Sequence, residues 1–223
     1  MAAVAGFVAV VSLDGATAQD RSAPASRESV KDLAARVLGD AEVVWEERFQ
    51  AMGWGTYRPA RLILVSRLAR SACGPVDISS GPMYCPPESG IYVDPAYFID
   101  VANRYGDIVV AYLVAREVGR HVQSTLAGDS MSGPKRTPPM QARLDLQADC
   151  YAGVWMHFAR KRNLLDPADP ENVRKALVSG ANVTRDSNPG ALRARSFGRG
   201  LATGNPRSCD FPALPGAVSG NRR

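Results

Sequence analysis

Histidine is nearly absent: the 223 residues contain two, His121 and His157. Two imidazoles cannot supply a three-histidine metal centre. The four cysteines, Cys73, Cys85, Cys150 and Cys209, include no C-x2-C pair, which argues against a four-cysteine zinc knuckle. No G-x-S-x-G, P-loop or G-x-G-x-x-G occurs, so a serine nucleophile elbow, a nucleotide phosphate cradle and a dinucleotide fold all lose support. Neither charge sign dominates: 27 Lys and Arg face 22 Asp and Glu, a net charge of +5. The arginines are scattered, with small clusters at Arg160–Arg162 and Arg193–Arg199, and no nucleic-acid motif accompanies them. A solvated basic surface is the expectation, with no nucleic-acid partner. There are no repeats, and no apolar run is long enough to span a bilayer comfortably.

What is present suits one globular domain, with 45% hydrophobic and 22% charged residues. Residues 1–18 read as a signal-peptide-like segment: Ala2–Leu13 is apolar and uncharged, and Ala16-Thr17-Ala18 is a small-residue cleavage pattern. The usual basic start is missing, so a membrane anchor through this segment is the competing expectation. Residues 19–28 read as a linker, 29–211 as the domain and 212–223 as a disordered tail. An even cysteine count fits an exported protein, whether periplasmic, secreted or anchored in the cell envelope. Spacing alone permits three pairings. The Gly- and Pro-rich loop between Cys73 and Cys85 favours a local bridge, which leaves Cys150 for Cys209.

Hydrophobic periodicity predicts a helix over Ser29–Met52, broken at Gly39-Asp40, and a strand over Arg61–Leu68. Residues 74–90 read as loop, 90–94 as a short strand, and Pro95–Arg104 as a helix capped by Asp94. Asp107–Leu126 is the central helix, with Val110, Leu113, Val114, Val118 and Val122 on one apolar face. A second long helix runs from Met140 to Arg162, and shorter ones follow at 171–180 and 191–203.

The central helix carries Arg116-Glu117-Val118-Gly119-Arg120. With histidines for the arginines this would be HExxH, two imidazoles one turn apart beside a catalytic Glu. Tyr57-Arg-Pro, Ser71-Ala-Cys-Gly74, Tyr84-Cys-Pro86, Ile91-Tyr-Val-Asp94, Glu117-Val-Gly, His121-Val-Gln123, Leu146-Gln-Ala-Asp-Cys-Tyr-Ala-Gly-Val-Trp155, Arg199-Gly200 and Cys209-Asp-Phe211 follow in order. Together they resemble the neutral zinc metallopeptidase family of bacteria over roughly residues 57–211. The resemblance implies an α+β, zincin-like single domain: an active-site-type helix, a second long helix packed on it and a small sheet.

It also implies a role for each matched position. Arg116 and Arg120 stand where the family has its two histidine ligands, and Glu117 stands where it has the general base. Asp145 takes the place of the third ligand, a Glu, and Asp149 that of the acid that steadies a ligand histidine. A further His-Gly of the family is replaced near Ser187-Asn188. A guanidinium has no lone pair to give and stays charged, so no zinc is expected. The expectation is that Arg116 and Arg120 pair with Asp145 and Asp149 and replace the metal as a bridge between helices. Two other arrangements compete with it. One is a slipped metal site of Glu117, His121 and Asp145; the other is an arginine pocket gripping an anion or a peptide carboxylate. The functional expectation is a pseudopeptidase, with a vestigial Glu117, that binds an unknown peptide or protein partner or scaffolds in the envelope. The alternative is a zinc-dependent endopeptidase.

Overall fold

The computed structural model describes residues 26–128, 137–179 and 188–210. The signal-like segment, residues 19–25 of the linker, residues 129–136 of the break before the second long helix, Ser187 and the tail lie outside the described residues.

Helix α1, Arg27–Met52, begins inside the segment expected to be linker, because Ser26 and Ser29 form a reciprocal capping box. The Ser29 N–H donates to Ser26 Oγ at 3.1 Å and the Ser26 N–H to Ser29 Oγ at 2.8 Å. The expected break at Gly39-Asp40 is absent. Asp40 is held by tertiary partners instead: it accepts from Trp155 Nε1 at 2.7 Å and pairs with Arg162 at 2.7 Å. Anchoring of this kind outweighs the roughly 1 kcal/mol that an internal glycine costs a helix. Val30, Ala34, Val37, Ala41, Trp45 and Phe49 form the buried stripe.

The strand expected over Arg61–Leu68 divides into β1, Arg61–Leu64, and β2, Leu68–Ser71. Between them Arg67 takes a positive φ of 37°, and its N–H donates to Asp94 Oδ2 at 3.1 Å. The stretch expected to be loop contains β3, Gly74–Asp77, and β4, Met83–Cys85, followed by a 3-10 turn over Pro86–Glu88. Strand β5, Gly90–Val93, lies at the centre of a three-stranded sheet, parallel to β1 and antiparallel to β4. Leu62 faces Ile91 across the parallel pair. Strands β2 and β3 form a separate hairpin, and Cys73 at its turn is bridged to Cys85 at the end of β4.

Helix α2, Pro95–Tyr105, starts where expected, with Asp94 Oδ1 accepting the Ala96 N–H at 2.9 Å. Helix α3, Asp107–Ala127, is the axis of the molecule. It was expected to bury one face. It is buried nearly all round, because α1, α2, α4, α5 and strands β4 and β5 all pack on it. Helix α4, Pro138–Lys161, lies along it; α5, Asp169–Val178, and α6, Gly190–Thr203, complete the helical layer. Among the described residues, six α-helices and a small sheet in one domain make this an α+β fold, as the resemblance implies. Both disulfides form as the cysteine reading favoured, with Cys150 joined to Cys209.

Helices α4 and α6 cross with backbone against backbone. A Cβ on Gly200 would meet the Cys150 carbonyl oxygen at 1.9 Å, and one on Gly153 would meet that of Phe197 at 2.1 Å. Neither carbonyl can move without breaking its helix. Gly200→Ala is therefore expected to destabilise by about 3 kcal/mol, the upper end of overpacking costs. An unchanged urea unfolding midpoint would contradict this contact.

Candidate functional site

Gly119 sets the distance between the two long helices. A Cβ there would fall 2.9 Å from Tyr151 Cβ and 3.2 Å from the Ala148 carbonyl oxygen. Bare backbone at this position brings the turn 116–120 of α3 against Asp145 and Asp149, which project one turn apart from α4. The structure thus gathers five of the residues singled out in the sequence: Arg116, Glu117, Arg120, Asp145 and Asp149.

Arg116 lies at the centre, with 2% of its side chain exposed. Its Nε donates to Asp149 Oδ1 at 2.7 Å and its Nη1 to Glu117 Oε1 at 3.1 Å. Its Nη2 lies 3.7 Å from Asp145 Oδ1. Arg120, nearer the surface, donates through Nη2 to Asp145 Oδ1, and its Nε lies 3.5 Å from Glu117 Oε1. Gln141 Nε2 adds a bond to Asp145 Oδ1 at 2.8 Å. Glu117 therefore spends one carboxylate oxygen on both arginines. Its other oxygen, Oε2, is buried with no hydrogen-bond partner among the described residues.

Two members of the cluster are not legible in the motif. Arg193 of α6 donates through Nε to Asp149 Oδ2 at 3.1 Å, and through Nη2 to the Tyr112 hydroxyl at 2.8 Å. The Tyr112 hydroxyl in turn donates to Asp149 Oδ1. Burial alone would raise the Asp149 pKa, but the Arg116 and Arg193 charges outweigh it and hold the carboxyl below its usual range. Burial, then the Asp149 charge, push the Tyr112 hydroxyl up, so it stays a donor. Among the described residues, three guanidiniums face three carboxylates. The sequence signal for Tyr112 is its place one turn before Arg116; Arg193 appears there only as part of a basic run.

His121 faces elsewhere. Its Nδ1 lies 2.8 Å from the Tyr84 hydroxyl and its Nε2 2.6 Å from the Arg58 carbonyl oxygen. A carbonyl only accepts, so Nε2 carries the proton and Nδ1 accepts from Tyr84. Neither nitrogen keeps a lone pair for a metal. Burial depresses the His121 pKa and favours this neutral form. The slipped site of Glu117, His121 and Asp145 is not brought together: no group of three His, Cys, Asp or Glu side chains among the described residues is placed to hold a metal. His157 bonds through Nδ1 to the Leu201 carbonyl at 2.8 Å, in the contact between α4 and α6. Asn188, near the place where the resemblance puts a His-Gly, donates to the Ala142 carbonyl at 2.9 Å and so braces the start of α4.

The segment before β1 is tied down on both sides. His121 holds Arg58, and Glu42 Oε1 of α1 accepts the Ala60 N–H at 3.1 Å. Burial raises the Glu42 pKa to about 7, with only partial offset from the Ala60 N–H and the Tyr57 hydroxyl. A folded pKa above the unfolded one means this contribution is full below about pH 4.5 and fades as pH rises through 7. Glu42→Gln is therefore expected to gain stability relative to the unaltered protein between pH 5 and pH 8. Thermal unfolding at the two pH values checks this, and an equal offset at both would contradict it. His121 acts with the opposite sign, since its depressed pKa costs stability as pH falls below about 6.5.

An α+β domain whose buried central helix presents R-E-x-x-R to acids from a second long helix has the frame of a metallopeptidase with cations at the ligand positions. The chain belongs to the family described as "Putative neutral zinc metallopeptidase", whose model matches residues 3–211. It is similar to the uncharacterized protein YpfJ of Escherichia coli (strain K12), 30% identical over 237 residues, covering 93% of this chain and 82% of that protein. It is likewise similar to the uncharacterized proteins Mb2605 of Mycobacterium bovis and Rv2575 of Mycobacterium tuberculosis. Each is 31% identical over 183 residues, covering 69% of this chain and 62% of the relative. No solved structure matches the chain.

The family description implies zinc, and the residues present do not fit it. The two ligand positions carry guanidiniums without lone pairs, and Arg116 is buried among the carboxylates that would otherwise serve the metal. Displacing it would leave a buried cation without its partners.

Proposed function

We propose that this chain is a non-catalytic member of its family, a pseudopeptidase that binds a peptide or protein partner or scaffolds in the cell envelope. One observation carries the reading: the Arg116 guanidinium, buried, bonded to Asp149 and Glu117 and close to Asp145, stands where a metal-binding imidazole would be needed. Peptide hydrolysis of the zinc type needs a Lewis acid on the scissile carbonyl and a water of lowered pKa. Glu117 supplies neither, and its Oε1 is already committed to Arg116 and Arg120. The export part of the reading is supported by the two disulfides, which persist in oxidising compartments. Among the described residues no helix is long and apolar enough to cross a membrane.

The second reading, a zinc-dependent endopeptidase, has the family description in its favour. Incubation of the disulfide-intact protein with Zn²⁺ and a mixed pool of unstructured peptides separates the two. No chelator-sensitive cleavage is expected; cleavage abolished by Glu117→Gln would overturn the proposal.

A further inference from the structure

The segment between α1 and β1, residues 53–60, is largely exposed and has almost no backbone support. Residues 55–60 make no backbone–backbone hydrogen bond among the described residues. Three side-chain contacts fasten the segment instead. Glu42 Oε1 of α1 accepts the Ala60 N–H at 3.1 Å. His121 Nε2 of α3 donates to the Arg58 carbonyl at 2.6 Å. The Tyr57 ring lies between Phe49 and His121, with ring centroids 5.0 and 5.5 Å away. At the other end Gly53 and Gly55 take φ values of 68° and 90°, the left-handed region that favours glycine. A segment fastened by a few side chains at one end, and turning on glycines at the other, opens locally at low cost.

The fastening at Glu42 is incomplete. Glu42 Oε2 and the Tyr57 hydroxyl are both buried, and neither completes a hydrogen bond although the two groups are neighbours. Among the described residues no cation pairs with Glu42. Its carboxyl faces the Ala60 N–H and Tyr57, with Tyr84 of β4 and His121 of α3 behind Tyr57. Helices α2 and α4 also pack on α1 and bring no charge to bear on it, and Glu46, one turn further along α1, is exposed. Burial, then the Glu42 charge, push the Tyr57 hydroxyl up, so it stays protonated. A protonated Glu42 brings no charge into this enclosed place, whereas the carboxylate leaves one oxygen with neither donor nor water. The closed segment therefore prefers the neutral acid, and burial raises the Glu42 pKa to about 7. Once the segment lifts, water reaches the carboxylate and that preference is gone.

We propose that residues 53–60 form a strap that Glu42 releases on losing its proton: it turns on Gly53 and Gly55, withdraws Tyr57 and uncovers the slot between Phe49 and His121. Release also takes the Arg58 carbonyl from His121, the residue after Arg120, so the strap controls access to the flank of α3 beside the arginine cluster. The Glu42 contribution to closure is full below about pH 4.5 and is lost as pH rises through 7. With an ordinary Glu42 acidity in the open form, the ratio of open to closed strap rises roughly tenfold from pH 6 to pH 8. His121 acts with the opposite sign, since burial depresses its pKa and its protonation favours opening in acid. The proposal goes beyond the pseudopeptidase reading and holds whether or not the arginine cluster is inert.

The test is amide hydrogen exchange on the full chain with intact disulfides, at pH 6 and pH 8, each rate divided by its intrinsic value at that pH. The Ala60 amide should exchange at least about a hundredfold faster than the Val114 amide in the core of α3, the mark of local rather than global opening. Its exchange should also rise roughly tenfold from pH 6 to pH 8. Glu42→Gln keeps an oxygen to accept the Ala60 N–H and cannot ionise, so it should abolish that rise. Four results would overturn the proposal: no rise at Ala60, a rise that survives in Glu42→Gln, Ala60 and Val114 exchanging at one rate, or opening that grows towards acid and so belongs to His121. If Glu42→Gln does not fold, the size and sign of the pH effect at Ala60, with its rate set against Val114 in the unaltered chain, decide alone.

Discussion

Arg116→Ala is expected to cost the fold roughly 3–5 kcal/mol, the range for removing one partner of a buried ion pair. The substitution takes a donor from Asp149 and from Glu117 at once, and both carboxylates are almost wholly enclosed. Arg193 still faces Asp149 and Arg120 still faces Glu117, so among the described residues three carboxylates are left against two cations. The surplus negative charge sits where water cannot reach it. The exposed pair Arg174–Glu171 on α5 is the control. Both partners there are about half exposed, and Arg174→Ala should leave stability nearly unchanged. Urea unfolding of the two variants checks the contrast. Equal and small losses would mean that the buried cluster contributes no more than a surface pair.

The second large effect is expected at the Cys150–Cys209 bridge. It closes a loop of 59 residues and ties α4 to the 3-10 turn at Pro206–Cys209. By loop-closure entropy its removal costs about 4 kcal/mol, against about 3 kcal/mol for Cys73–Cys85, which spans 12 residues. The same bridge fixes the end of α6 relative to α4, and α6 supplies Arg193 to Asp149. Replacing Cys150 and Cys209 by alanine should therefore lower stability more than replacing Cys73 and Cys85. A reversed order in thermal or urea unfolding would mean that the hairpin, not the α4–α6 contact, is the weak point of the fold.

Local chemistry made some elements legible. Asp94 followed by Pro95 marked the start of α2, and Gly106 and Gly128 bracket α3. It failed where the chain is held by distant partners. Gly39-Asp40 looked like a break, and Trp155 and Arg162 make it continuous. Strands β3 and β4 are four and three residues long, in a stretch full of glycine and proline. They exist because β2 and β5 pair with them, which no local pattern announces. The cluster divides in the same way. Resemblance to the family brought Arg116, Glu117, Arg120, Asp145 and Asp149 to one place on paper. Tyr112 and Arg193 carried no motif; they belong to the cluster through the packing of α3, α4 and α6. His121 shares a helix with the cluster, yet Tyr84 and the Arg58 carbonyl hold its ring away from it.

In the proposed pseudopeptidase, guanidiniums take the place of a metal. The most direct test is the zinc content, by mass spectrometry, of tag-free protein with intact disulfides, exposed to excess Zn²⁺ and then dialysed. The unaltered chain is expected to retain no zinc. Arg116→His with Arg120→His and Asp145→Glu restores the donor types the family uses at these positions, and is expected to retain it. Zinc held one to one by the unaltered chain, and lost on Asp145→Ala, would contradict the account and return the site to metal chemistry.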